Sequence, residues 1–261
     1  MIRVTDQLGH EVFLAAGKAQ RIISLVPSQT ELLHALGLDN EVVGITKFCV
    51  HPQEWLRSKN RVGGTKDFKT EVIRTLKPDL ILANKEENTK ELILSLQNEH
   101  PVWTSDIQQL EDALQMIESV GILTGKELPA TQLISECRKN FNDLRRPLYP
   151  KQRVLYLIWR KPWMCVGNDT FIHDMLQHCG FTNACQLNRY PELSLKQIVE
   201  LAPEQLLLSS EPYPFKEEHM RELASILPDC RIRLVDGEYF SWYGSRLKDA
   251  PAYFASLIYG N

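Results

Sequence analysis

One short unit occurs twice in this chain. Glu71-Val72-Ile73-Arg74-Thr75-Leu76-Lys77-Pro78-Asp79 leads into Leu80-Ile81-Leu82-Ala83, and Lys196-Gln197-Ile198-Val199-Glu200-Leu201-Ala202-Pro203-Glu204 leads towards Leu206-Leu207-Leu208. In each copy a helical pattern is stopped by a proline, which lacks an N–H and disfavours helical backbone in the residue before it. The apolar run that follows reads as a buried strand. Two copies so far apart are too few for a solenoid. They predict two lobes built on the same plan.

The rest of the chain fits that plan. In the first half Ile22–Val26, Val42–Ile45, Asp79–Ala83 and Val102–Thr104 read as strands. Lys90–Gln97 and Leu110–Leu123 read as helices, and a helix after Pro27 is capped by Ser28 or Thr30 and ended by Gly37. In the second half Val154–Ile158, Leu206–Leu208 and Ile232–Val235 are strands. Phe171–Cys179 is a helix, with Asp169 or Thr170 as its cap and Gly180 just past its end. Alternating strands and helices imply mainly parallel sheets flanked by helices.

Between the halves, Ala130–Arg146 contains no Gly or Pro, and Leu133, Cys137, Phe141 and Leu144 recur at helical spacing. Pro129 suits a first turn and Pro147 a stop. The fold class expected is therefore α/β with two lobes joined by one long helix. The amino-terminal lobe spans 1–126, the connecting helix 127–147 and the carboxy-terminal lobe 148–261.

Composition excludes several classes of function. The 261 residues are 43% hydrophobic and 24% charged, with net charge −3, and no basic stripe suggests nucleic acid. No run approaches the ~18 apolar residues of a membrane span, so no membrane insertion is expected. Six cysteines lack any C-x-x-C pair and read as small buried or half-buried thiols, with a disulfide in the second half left open. Gly121–Glu127 imitates a phosphate loop, but it has one residue too few between its glycines and Glu127 stands where a hydroxyl would hold magnesium. No nucleophile elbow or dinucleotide fingerprint is present, so no catalytic residue is expected. Cys49 and His51 have no second pair to complete a metal site, and no metal site is expected.

A family resemblance rests on three stretches. These are Asp6-Gln7-Leu8-Gly9-His10, the run Arg21-Ile22-Ile23-Ser24-Leu25-Val26-Pro27-Ser28-Gln29-Thr30-Glu31, and Val62-Gly63-Gly64 followed by Leu76-Lys77-Pro78-Asp79-Leu80-Ile81. With these the chain resembles the helical-backbone (class III) substrate-binding proteins of ABC importers. Those proteins take cobalamin, haem or ferric siderophores, and the likeness is strongest to the cobalamin binders. The resemblance implies capture of a metal-chelate ligand in a cleft between the lobes, with no chemistry on it. Such a ligand carries its own cobalt or iron, and the protein has no intrinsic cofactor. The readings kept beside it are a cytoplasmic corrinoid or tetrapyrrole carrier or sensor, and a chelatase-like enzyme on the same two-lobed fold.

In open parallel sheets ligands bind beyond the carboxyl ends of the strands. The loops there offer Pro27, Ser28, Gln29, Phe48, Lys66, Asp67, Phe68, Asn84 and Lys85 in the first lobe. Lys47, Glu86 and Glu87 lie beside them. The second lobe offers Trp163, Tyr239, Trp242, Tyr243 and Arg246. Trp163 and Trp242 are expected to present aromatic faces to a flat macrocycle, and Trp159 less so. Arg246 is placed to reach a polar group of the ligand.

The resemblance also implies a permease partner, met through one acidic residue on each lobe. The repeated unit puts Glu71 at the first position and Lys196 at the second, a reversal of charge that weakens the second contact. A monomer is expected. The family implies a periplasmic location. Met1-Ile2-Arg3-Val4-Thr5-Asp6, however, has no basic region followed by an apolar one, which points to the cytoplasm if the chain is complete.

Overall fold

A computed structural model describes residues 1–144 and 151–259. The first half contains β1 (Ile2–Thr5), β2 (Glu11–Leu14), β3 (Ile22–Ser24), α1 (Pro27–Ala35), β4 (Val42–Ile45), α2 (Gln53–Ser58), β5 (Asn60–Arg61), α3 (Thr70–Leu76), β6 (Leu80–Asn84), α4 (Lys90–Gln97), β7 (Val102–Ser105), α5 (Leu110–Thr124) and α6 (Glu127–Asp143). The second half contains β8 (Arg153–Trp159), β9 (Trp163–Cys165), α7 (Phe171–His178), β10 (Thr182–Asn183), β11 (Glu192–Leu193), α8 (Leu195–Glu200), β12 (Gln205–Ser209), α9 (Glu217–Ala224), β13 (Arg231–Val235), α10 (Glu238–Ser241), a 3-10 turn (Ser245–Lys248) and α11 (Ala250–Tyr259).

These elements form two compact units. The first takes Met1–Ile107, Glu111–Arg138 and Trp242–Lys248; the second takes Gln108–Leu110, Lys139–Ser241 and Asp249–Asn261. The division falls within α6. The expected connecting helix is α6 (Glu127–Asp143), and Gly125, with φ 68°, separates it from α5. Residues 145–147 of that expected helix lie outside the described residues.

The first unit holds a five-stranded parallel sheet in the order β5-β4-β3-β6-β7. All five residues of β6 are buried, as expected for a strand covered on both faces. Ile23, Leu25, Ile73, Ile81 and Val102 share its core. A separate antiparallel hairpin, β1-β2, turns at Gly9 (φ 89°) and was not foreseen, because each strand has only four residues. The cap expected for α1 also differs. Pro27 opens that helix with Val26 before it, and neither Ser28 nor Thr30 caps it. Thr30 instead donates its hydroxyl to the Val26 carbonyl at 2.9 Å.

The second unit holds a mixed sheet in the order β11-β9-β8-β12-β13, with β10 also on β8. β8, β10, β12 and β13 run parallel, while β9 and β11 are antiparallel additions. Thr170 caps α7 as expected, accepting from the His173 N–H at 3.2 Å.

The repeated unit is reproduced down to its hydrogen bonds. Lys77 and Ala202, each just before the proline, both take left-handed backbone (φ 47° and 45°). Asp79 accepts from the Gln20 and Arg21 N–H groups, and Glu204 accepts from the Arg153 N–H at 2.6 Å. The Arg21 guanidinium donates to the Leu76 carbonyl at 2.7 Å; that of Arg153 donates to the Leu201 carbonyl at 3.1 Å. In each unit an arginine at the start of the neighbouring strand thus ties off a carbonyl at the end of the repeated helix.

Candidate binding faces of the two units

In the first unit the loops at the carboxyl ends of β3 to β7 are held together by buried amides. Asn84 accepts from the Glu86 and Glu87 N–H groups at 2.8 and 3.0 Å, and donates to the Ser105 hydroxyl at 3.0 Å. Asn88 donates to the carbonyls of Leu25 and Thr65, and Thr89 donates to that of Lys66. Gln29 donates to Ser105 at 2.7 Å. Asn84, Ser28 and Gln29 are buried and shape this face from below; Pro27 is half-buried.

The exposed groups on the face are Phe48, Lys66, Asp67 and Lys85. Phe48 is 51% exposed, unusual for an aromatic ring of its size, and Lys47 sits over it at 5.1 Å. Lys47 also pairs with Asp67 at 3.7 Å, and Lys85 pairs with Asp106 at 2.6 Å. Phe68 does not join the face. It lies in the core with Val62 and Ile73, because its loop folds back through the Lys69 N–H to the Val62 carbonyl.

Cys49 is buried in the same unit. Its sulfur lies 3.0 Å from the Thr30 hydroxyl and 3.1 Å from that of Thr46, and burial pushes its thiol up. His51 packs edge-on to Trp242 at 5.6 Å. Among the described residues no three His, Cys, Asp or Glu side chains gather where they would hold a metal ion.

Trp242–Lys248 belongs to the first unit, although its neighbours in sequence belong to the second. Arg246 forms a two-pronged ion pair with Glu31 of α1, at 2.7 and 3.2 Å, and stacks over Trp242 at 4.9 Å. Its guanidinium is therefore engaged in fixing this segment. Tyr243 donates to Glu87 at 2.6 Å, and burial together with the Glu87 charge pushes its hydroxyl well up. A Cβ on Gly244 would come within 2.4 Å of the Ser28 carbonyl oxygen, so only glycine admits this approach to α1. Trp242 is 7% exposed and serves the packing; the expected aromatic face is not turned to solvent there.

The second unit carries an aromatic cluster beyond β8 and β12. Trp159 is 39% exposed and meets Tyr213 edge-on at 5.6 Å. Trp163 stacks parallel to Phe215 at 6.2 Å and packs against the core, under Arg160 at 5.5 Å. Arg160 is held by Glu222 at 2.7 Å. Tyr213 meets Phe215, and its hydroxyl lies 3.1 Å from His219 Nε2. Tyr239 stacks on Tyr253 at 4.5 Å. The order expected for the tryptophans is thus reversed, with Trp159 open and Trp242 covered. Tyr213, Phe215 and His219 were not singled out from the sequence. The signal was there in Tyr213-x-Phe215, two aromatics just past an apolar strand.

Away from these faces, Glu71 lies in the first turn of α3 with its side chain 81% exposed, paired to Arg74, which also pairs with Glu99 at 2.6 Å. Lys196 on α8 is 86% exposed and pairs with Glu200 at 3.7 Å.

A periplasmic binding protein family model matches residues 22–224. The vitamin B12-binding protein of Vibrio campbellii is 28% identical over 200 residues, covering 75% of this chain and 72% of that protein. The periplasmic vitamin B12 binding protein of Vibrio cholerae superposes with a TM-score of 0.74 at 21% identity, covering 92% of this chain and 96% of the other. A periplasmic haem binding protein from Pseudomonas aeruginosa superposes with a TM-score of 0.79 at 20% identity, covering 92% and 93%.

Proposed function

Since the chain belongs to the periplasmic binding protein family, we propose that it is a substrate-binding protein whose ligand is a metal chelate of the corrinoid class, cobalamin first. Members of this family are solute binders rather than enzymes, and they deliver ligands to ABC permeases. The observation that carries the corrinoid reading is the likeness to a vitamin B12-binding protein across three quarters of the chain.

The geometry of each unit supports it. Phe48 in the first unit and Trp159 in the second are large aromatic faces left open at the carboxyl ends of parallel strands. A rigid ring offers wide contact area at little entropic cost, which suits a broad flat ligand. Lys66, Asp67 and Lys85 supply polar contacts to the ligand's edge, and Trp163 and Tyr239 back the second face. The ligand brings its own metal, which needs no protein ligand in this reading. Glu71 and Lys196 are the positions assigned to permease contact.

Titrating the purified chain with cyanocobalamin, followed by visible spectra and thermal shift, tests the proposal. At 100 times its Kd a ligand stabilises by about 2.7 kcal/mol. Haem and a ferric siderophore form the parallel arms. A response to either without one to cobalamin rejects the corrinoid class; silence in all three arms rejects the metal-chelate reading.

A further inference from the structure

We infer that Cys165 and Cys185 form an intramolecular disulfide in the core of the second unit. Strand register brings the two cysteines to one edge of β8. β9 runs antiparallel along β8, with Cys165 opposite Leu157 and the Val166 N–H bonded to the Tyr156 carbonyl. β10 runs parallel to the start of the same strand, with Asn183 opposite Val154, and the Ala184 N–H then bonds to the Val154 carbonyl. β12 occupies the other side of β8 at Val154–Leu157. β9 and the chain leaving β10 therefore share one edge of β8 and run towards each other along it. Asn183 closes the junction, donating to the Val166 carbonyl at 2.9 Å while accepting from the Cys185 N–H at 3.1 Å.

Each converging segment delivers one cysteine, and both side chains enter the same cluster with Leu155, Leu157, Ala184 and Leu208. The two sulfurs share a hydrogen bond, which lowers the Cys185 thiol and raises that of Cys165. Both are buried thiols in the folded chain. Of the other second-unit cysteines, Cys179 is buried at the end of α7, outside the cluster, and Cys230, half-buried before β13, packs at its margin. The bond would close a loop that contains the whole of α7.

The step is a thiol–disulfide exchange with a small disulfide donor such as oxidised glutathione. The Cys185 thiolate attacks one donor sulfur and releases one thiolate. The Cys165 thiolate then attacks the Cys185 sulfur of the mixed disulfide and releases the second. Two protein thiols lose two electrons, the donor disulfide gains them, and the two protons end on the released thiols. Because both sulfurs are covered in the folded unit, exchange takes place while the chain is folding.

The test refolds the full chain from denaturant in mixtures of reduced and oxidised glutathione. Free thiols are then alkylated in denaturant, and the digest is mapped by mass spectrometry. The expected product is about 2 Da lighter than the reduced chain, with one cross-linked peptide joining Cys165 to Cys185. Its urea midpoint is higher than that of the reduced chain and falls back on reduction. Cys185→Ala removes both the link and the response to reductant. Cys230→Ala, at the margin of the cluster, keeps both and covers the case in which Cys185→Ala does not fold. Alkylation of both Cys165 and Cys185 after oxidative refolding overturns the inference, as does a link from either to Cys179 or Cys230.

Discussion

At the scale of single residues, the two open aromatic rings and the covered one make different demands. Trp159 has a free face, whereas Trp242 is pinned between His51 and Arg246. Trp159→Ala is expected to weaken ligand binding about tenfold, as truncation of an aromatic anchor does, with little change in the urea midpoint. Trp242→Ala is expected to cost about 3 kcal/mol of stability through the cavity it leaves, read in the same urea titration. If Trp242→Ala loses affinity and keeps full stability, the assignment is reversed. The sequence could name the tryptophans but not rank them. An aromatic at a strand end is open or covered according to what arrives later in the chain, and no local pattern reports that arrival. Arg246 shows the same limit: its partner Glu31 is 215 positions away. Phe68 failed for a shorter-range reason, since a loop residue beside exposed Lys66 and Asp67 turned inward with the chain.

At the scale of elements, legibility followed length and burial. β4 and α4 have the expected ends, and β6, β8 and β12 differ from expectation by one residue at each end, because long apolar runs bounded by helix signals leave little choice. β5, β10 and β11 have two residues each and no pattern to read. The repeated unit carried further than expected, because the hydrogen bonds made by the acid after each proline and the arginine on the neighbouring strand cannot be read from the unit itself. Removing the acid leaves strand-start N–H groups unpaired in both units. Asp79→Ala and Glu204→Ala are therefore each expected to lower stability by about 1 kcal/mol. Equal effects would support a shared structural role; an effect at only one would show that the two hydrogen-bond patterns are alike in geometry and unlike in energy.

At the scale of the whole molecule, the plan of two α/β units was legible because it is written in the order of elements rather than in any one residue. The boundaries were harder. α6 crosses the division at Arg138, where no glycine or proline marks it, and Trp242–Lys248 leaves one unit for the other without a compositional change. Among the described residues no helix is long and apolar enough to cross a membrane. The two exposed helix starts, α3 with Glu71 and α8 with Lys196, carry opposite charges. Against a permease, Lys196→Glu is expected to change the association rate severalfold and to alter its salt dependence, as rim charges do. Unchanged kinetics would remove Lys196 from the contact.

The passage of Trp242–Lys248 into the first unit also bears on how the molecule is made. A nascent chain emerges amino-terminus first, and its domains ordinarily fold in that order. Here the β3–β7 sheet is synthesised early, yet α1 lacks Gly244 against Ser28 and Arg246 against Glu31 until a segment 215 positions further on has been made. The first unit is therefore completed only after Lys139–Ser241 of the second has been made. Until then α1 keeps an uncovered flank, and the growing chain must be kept from sticking to its neighbours through it.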